Sequence, residues 1–359
     1  MSDLADNGHR VAVPAAGTVA AGNGAPEFTK ADFQSSAETR WCPGCGDYVI
    51  LATVQELMPE LGLPPEQIVF VSGIGCAGRF AYYMDTYGMH GVHGRAPAFA
   101  TGLAATREDL LVWVVGGDGD MLSIGGNHLI HALRRDVPVK ILVFNNEIYG
   151  LTKGQASPTS EVGKVTKSTP FGLLDVPFNP ISLALGAEAS FVARTIDRDR
   201  QHLAGVLRAA AEHPGAALVE IYQNCPVFND GAFAALTDKD TKDDFLIRLE
   251  HGHPIRFGAQ GERGVVRDAD GELRIVDLAE VGEEALLVHD AHRPDPSVAF
   301  ALSRLAAGPS EPTPVGIFRD VSRPSLRSEL DHEVAATRAG FGEHELDELL
   351  RAGDTWAVT

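Results

Sequence analysis

The chain has 359 residues, 44% of them hydrophobic, and a formal net charge of −19. That size and apolar fraction allow one large domain with a sizeable core, or one domain plus a smaller appendage. The acidic balance excludes nucleic acid and an anionic membrane surface as partners, and no apolar run approaches the ~18–20 residues that a membrane helix needs.

The N-terminal stretch carries Asp3 and Asp6 and lacks a basic, then apolar, signal segment. A cytoplasmic protein is expected, and its four cysteines should then serve as ligands or thiols, not disulfides. Residues 1–38, rich in Ala, Gly and Asp, read as a mobile tail, with structure beginning near Arg40-Trp41.

Trp41-Cys42-Pro43-Gly44-Cys45-Gly46 follows, then a helix-like run Tyr48–Leu57. CxxC brings two sulfurs to one centre, and zinc, a redox dithiol and an iron–sulfur cluster all fit it. Ile68–Val71 is a short strand opening into Ser72-Gly73-Ile74-Gly75-Cys76-Ala77-Gly78-Arg79, where the third cysteine sits in a Gly-rich turn that makes a poor core position. His93-Gly94-Arg95 precedes a small-residue helix, Ala98–Thr106; a loop histidine there can donate to a phosphate or a cofactor ring.

Residues 110–151 are the most informative stretch. Leu110–Val115 breaks at Gly116-Gly117-Asp118-Gly119-Asp120, a helix follows, and Val139–Phe144 ends in Asn145-Asn146. This is a βαβ unit, whose crossover sets the strands parallel with their carboxyl ends on one edge, where ligands bind. Asp118 sits just past one strand and Asn146 just past the other, 28 positions on. Both offer hard oxygen ligands of the kind Mg²⁺ shares with substrate phosphates, and the glycines let a phosphate approach. An ordinary Gly-rich turn explains GDG alone; GDG with NN after it points to a diphosphate–Mg²⁺ site.

Leu151–Ser160 is a polar, flexible loop leaving the second ligand strand, expected to cover the site and closed by Thr169-Pro170-Phe171-Gly172. Lys153 within it is either a solvated lysine or a point charge for a substrate carboxylate. Asn179–Leu185 and Asp197–His213 read as helices, the second with Asp197 as N-cap. Ala217–Tyr222 is a strand ending in Gln223-Asn224-Cys225. All four cysteines thus fall at element ends, the number a cubane cluster or a zinc site requires. Val265–Val276, Leu286–His289 and Gly316–Val321 read as short strands, and Glu329–Ala339 and His344–Ala352 as helices.

The GDG…NN pattern resembles the thiamine-diphosphate signature. That resemblance implies Mg²⁺ ligands at Asp118 and Asn146 by side chain and Ile148 by carbonyl, with Gly119, Asp120, Gly150 and Leu151 lining the diphosphate. WCPGCG, GIGC, HGR, GGDGD…NN and YGLTKGQ in one order resemble the β subunit of a 2-oxoacid:ferredoxin oxidoreductase, best the 2-oxoglutarate branch, over roughly residues 40–258. Pyruvate and branched-chain 2-oxoacid enzymes are the alternatives.

The resemblance implies an α/β fold, a mostly parallel sheet flanked by helices of the thiamine-diphosphate-binding (PP) type. Residues 39–236 would form the cofactor domain, and 237–359 a C-terminal extension packing on it or on a partner subunit. It implies one [4Fe–4S] cluster on Cys42, Cys45, Cys76 and Cys225, with Ile74, Gly75, Cys76, Ala77 and His93 against thiamine diphosphate. Cys76, His93 and Lys153 would carry the catalytic roles, Lys153 in 2-oxoacid recognition.

The implied reaction converts a 2-oxoacid and coenzyme A to acyl-CoA and CO₂, with electrons passing singly through the cluster to ferredoxin. The glutamate needed at the aminopyrimidine is placed by the family on the α subunit, so an αβ or (αβ)₂ assembly is expected. An acidic ferredoxin would need a basic patch, for which Arg134, Arg135 and Lys140 are candidates. Two other readings compete: a cluster-free thiamine-diphosphate decarboxylase, which leaves four cysteines unexplained, and a zinc-stapled nucleotide scaffold, which makes GDG…NN coincidental.

Overall fold

The structure, a computed structural model, describes residues 28–305, 311–341, 346–354, 356 and 358. Eight strands form the main sheet: β1 (Ile68–Ser72), β2 (Tyr87–His90), β3 (Leu111–Gly117), β4 (Val139–Asn145), β7 (Phe191–Ile196), β8 (Ala217–Tyr222), β9 (Leu246–Leu249) and β13 (Thr313–Asp320). Their order is β2-β1-β3-β4-β8-β7-β13-β9. The first six run parallel; β13 pairs antiparallel with β7 and carries β9 parallel to itself. Two short pieces, β5 (Ile148–Tyr149) and β6 (Gln155–Ala156), form a hairpin, and β10 (Arg256–Phe257), β11 (Arg263–Arg267) and β12 (Leu273–Asp277) make a small antiparallel sheet.

The parallel strands are apolar on both sides because helices cover both faces. Alternation sorts them. Val69, Val71, Val112, Val114, Ile141 and Val143 face α2 (Ala96–Thr106), α3 (Gly126–Arg134) and α4 (Pro180–Gly186). Ile68, Phe70, Trp113, Val115, Leu142 and Phe144 face α1 (Asp47–Leu57) and α5 (Arg200–Glu212). Ala96, Ala100 and Ala104 recur every fourth residue on α2 and are wholly or almost wholly buried, which lets the helix lie close on the sheet.

The mostly parallel α/β architecture is as expected; several local readings are corrected. Residues 28–38 are not part of a tail: Lys30–Phe33 is a 3₁₀ turn, and Phe33 is fully buried in the core beneath α1. Residues 1–27 of the expected tail lie outside the described residues. The helix placed at Asp197–His213 starts later. Asp199, not Asp197, caps it by accepting from His202 N at 3.1 Å, while Asp197 Oδ2 accepts from Asn224 N at 3.0 Å.

Residues 237–359 are more than an extension packed on the outside, because β9 and β13 complete the main sheet. Val265–Val276 is the β11–β12 hairpin, and Leu286–His289 forms no strand of its own but bridges Pro254 with Val288 and bonds by its backbone to Gly252, His253, Ile255 and Val265. The last expected helix is seen at Leu346–Arg351; its first two residues, 344 and 345, lie outside the described residues.

Candidate active site

The carboxyl ends of β1, β3, β4 and β8 share one edge of the sheet, and the loops leaving them meet there. A cleft of about 490 Å³ opens between them. Ile74, Gly75, Cys76, Ala77, His93, Asp118, Gly119, Asp120, Asn146, Ile148, Gly150 and Leu151 all line it. The structure therefore brings together every residue expected at the diphosphate and its cation. Lys153 is not among the lining residues; it is exposed at the rim, in a left-handed turn at φ 78°.

Each loop is wound for its task. After β3 the chain enters a π turn, Asp120–Ile124, with Ser123 off helical geometry at φ −91°, ψ −107°. Such turns are rare and concentrate at functional sites. A Cβ on Gly119 would lie 2.1 Å from the Tyr149 ring, so no side chain fits between the β3 turn and the β5 hairpin. After β4, Asn146 Oδ1 accepts from Ile148 N at 3.2 Å, and Glu147 takes φ 57°. That turn carries the chain back so that Asn146 and Ile148 face the same cleft.

Asp118 is buried. Its Oδ2 accepts from Ser157 Oγ at 2.5 Å and Thr159 Oγ1 at 2.6 Å. Burial pushes its carboxyl up to about 6 against those hydrogen bonds. Glu147, half-buried beside it, is pushed up to about 8, by desolvation first and by the Asp118 charge second. Burial is the leading cause at both, and at Glu147 the nearby Lys164 charge pulls the other way.

Asp120 also lines the cleft, but its Oδ1 accepts from Ile74 N at 3.1 Å and Gly94 N at 2.8 Å and lies 2.6 Å from His93 Nδ1. It ties the β1 and β2 loops to the β3 turn. His93 Nδ1 sits against this carboxylate without making a hydrogen bond.

The thiols gather behind the cleft. Cys45 and Cys225 are buried, Cys76 is half-buried and Cys42 exposed. The Cys45 thiol is pushed far up, chiefly by burial and then by the Asp47 carboxylate, and Cys76 to about 11, again by burial first. Cys225 and Cys76 act on Cys45, and Cys225 and Cys42 on Cys76, so the four share one neighbourhood. A Cβ on Gly150 would lie 3.6 Å from Cys76 Sγ and 3.8 Å from Cys225 Sγ. Among the described residues, no three His, Cys, Asp or Glu side chains are closed tightly enough to hold one bare ion.

The donor sets fit the expected groups. Hard oxygens and glycine-lined walls suit a magnesium-bound diphosphate, and soft thiolates suit iron. Sequence reading missed Ser157 and Thr159, whose stretch reads as a flexible cover but is buried, and Gln223, which bridges Asn146 and Cys45. Lys140 is no surface patch: it is buried and donates to the His213 and Gly215 carbonyls. Arg134 and Arg135 are exposed, but they sit before β4, on the sheet edge opposite the cysteines.

Fold and cleft define a thiamine-pyrophosphate enzyme domain, and residues 73–221 match the family model described as "Thiamine pyrophosphate enzyme, C-terminal TPP binding domain". The chain is 61% identical to the 2-oxoglutarate oxidoreductase subunit KorB of Mycobacterium tuberculosis, over 91% of this chain and 88% of that one. It is 44% identical to the β subunit of 2-oxoacid:ferredoxin oxidoreductase 1 of Aeropyrum pernix, over 56% of this chain and 63% of that one. Among solved structures, 2-oxoglutarate:ferredoxin oxidoreductase from Magnetococcus marinus, with 2-oxoglutarate, coenzyme A and succinyl-CoA bound, superposes with a TM-score of 0.73 at 31% identity, covering 91% of this chain and 97% of that one. The chain belongs to the β-subunit family of the 2-oxoacid:ferredoxin oxidoreductases, in its 2-oxoglutarate branch.

Proposed function

We propose that this chain is the cofactor-binding subunit of a 2-oxoglutarate:ferredoxin oxidoreductase. It would convert 2-oxoglutarate, coenzyme A and two oxidised ferredoxins to succinyl-CoA, CO₂, two reduced ferredoxins and a proton. The observation that carries this reading is the juxtaposition at Cys76, which lines the cleft holding Asp118 and Asn146 and also lies beside Cys225 behind Gly150. A relative bearing 2-oxoglutarate and both acyl-transfer partners supports the choice of substrate.

Thiamine diphosphate bound there would supply the electron sink for cleaving the bond to the carboxylate, and a [4Fe–4S] cluster would accept the electrons singly. Asp118, Asn146 and the Ile148 carbonyl would hold Mg²⁺, with Gly119, Gly150 and Leu151 at the diphosphate. His93, beside Asp120 in the cleft, would donate or accept at the cofactor ring. Cys42, Cys45, Cys76 and Cys225 would hold the cluster. Lys153 stands at the mouth, where a cation meets an incoming dicarboxylate.

An α subunit completes the site in this reading. Phe171, Leu174 and Val176 project almost fully into solvent from the loop that follows the β5–β6 hairpin, a cluster of exposed apolar side chains that marks a contact face. Among the described residues no helix is long and apolar enough to cross a membrane; a cytoplasmic setting, which keeps thiols reduced, belongs to the proposal.

The test is anaerobic co-expression with the α subunit. The expected product is a brown αβ protein absorbing near ~400 nm that reduces ferredoxin with 2-oxoglutarate and coenzyme A, while the β chain alone is inactive. Cys225→Ser should remove the colour. A colourless protein with stoichiometric zinc, or turnover by the β chain alone, would overturn the reading.

A further inference from the structure

Gln223 stands just past β8 and is almost wholly buried. Its side chain touches both halves of the site. Oε1 accepts from Asn146 Nδ2 at 2.7 Å, and Nε2 donates to Cys45 Sγ at 3.1 Å and to the Asn224 carbonyl at 2.6 Å. Its backbone N–H donates to the Asn145 carbonyl at 2.9 Å, which extends the β4–β8 ladder to this residue. Every polar atom of the side chain is used, and its backbone is pinned.

The polarity of this chain of amides is set consistently at both ends. A thiolate sulfur bound to iron can only accept, so the Gln223 amide must turn its NH₂ towards Cys45. Its oxygen then faces Asn146, which must answer with its own NH₂. Asn146 is left with Oδ1 on the far side, towards the cleft and the Ile148 N–H. That oxygen is the atom a hard cation takes. The acceptors beyond Gln223, Cys45 Sγ and the Asn224 carbonyl, and the Ile148 N–H at the other end all favour the same arrangement, with Asn146 Oδ1 towards the cleft.

We propose that Gln223 is a positioning residue that couples the two cofactor sites. Its N–H placed on Cys45 puts the positive end of a dipole beside the cluster, which stabilises the added electron and raises the reduction potential. Its carbonyl orients the Asn146 amide for Mg²⁺. The inference rests on the cluster and Mg²⁺ assignment proposed above and adds a residue outside it.

The test uses the co-expressed αβ enzyme, purified anaerobically. Two readouts are taken: the cluster midpoint potential by electron paramagnetic resonance during redox titration, and Mg²⁺-dependent retention of thiamine diphosphate on gel filtration. Gln223→Met keeps the volume and removes both contacts. It should shift the midpoint to more negative values and raise the Mg²⁺ needed for half-retention by about tenfold or more, the scale of lost outer-shell support. Gln223→Glu keeps an acceptor for Asn146 and loses the donor to sulfur, so it should lower the potential while holding Mg²⁺ like the parent; it also serves if the Met variant fails to assemble. A Gln223→Met enzyme with the parent's potential, or with the parent's Mg²⁺ requirement, overturns the proposal, as does Glu weakening Mg²⁺ as much as Met. A parent enzyme with no cluster signal overturns instead the functional assignment on which it rests.

Discussion

Thr159 Oγ1 lies 2.6 Å from Asp118 Oδ2 and 2.8 Å from Asn145 Oδ1, so one hydroxyl from the turn after β6 spans the tips of β3 and β4. Ser157 holds the same Asp118 oxygen. A carboxylate anchored by one oxygen presents the other in a fixed direction, which is what a metal ligand needs. Thr159→Val should raise the Mg²⁺ concentration for half-maximal activity by about tenfold, with most of the turnover recovered at saturating Mg²⁺, and Thr159→Ser should restore the parent value. Titration of metal-stripped αβ enzyme with Mg²⁺ checks this.

Behind Asn145 the network continues into the sheet. Asn145 Nδ2 donates to Glu220 Oε1 at 2.7 Å, and Arg194 Nε donates to Glu220 Oε2 at 2.6 Å, with both charged groups buried. Arg194→Met leaves an unpaired buried carboxylate and should cost about 3–5 kcal/mol. Arg194→Met with Glu220→Gln should cost less than Arg194→Met alone, because no charge is stranded. Denaturant unfolding of the three proteins decides it.

Burial lowers Lys140 to about 7, against the pull of Asp136 and Asp320. Its folded value is depressed below the unfolded one, so the native state binds fewer protons than the unfolded chain between the two. The contribution of Lys140 to stability is therefore least favourable below pH ~7 and improves as pH rises towards ~10. Lys140→Met should flatten that part of the profile. Thermal midpoints of parent and variant at pH 7 and pH 9 should draw apart in the parent's favour at the higher pH.

Phe33 is fully buried beneath α1, although it precedes the first motif of the chain. Phe33→Ala should cost about 3–5 kcal/mol, as for other buried aromatic truncations. A chain beginning at residue 39 should be destabilised comparably, whereas loss of an unattached tail would leave the midpoint unchanged.

The site was legible where its chemistry is local in sequence. GDG, NN, CxxC and the Gly-rich turn at Cys76 declare themselves because strand ends, glycines and ligand types sit within a few residues of each other. Gln223 and Thr159 carry no such mark: what they do depends on contacts to Cys45 and Asp118, 178 and 41 positions away. Asp197 and Asp199 both suit a cap by type, and only the strand β7 before them settles which one serves. β9 was missed for a related reason, and β13, read as a strand at Gly316–Val321, gave no sign that it joins the main sheet. A four-residue strand on the rim of a sheet, as β9 is, has no periodicity that names its neighbour, and β13 runs antiparallel to β7 beside it. Lys140 misled because a charge at the head of a buried strand can reach carbonyls at the sheet edge without leaving the interior.

Beside Cys76, which itself lines the cleft, Gly150 stands between the cleft and Cys225 with nothing but main chain. At that point the partition is a single peptide thick, and it has no rotamers to swing aside or to widen the gap. Charge crossing it meets the thinnest insulator a polypeptide can make, and a methyl group added there would come into direct contact with both sulfurs.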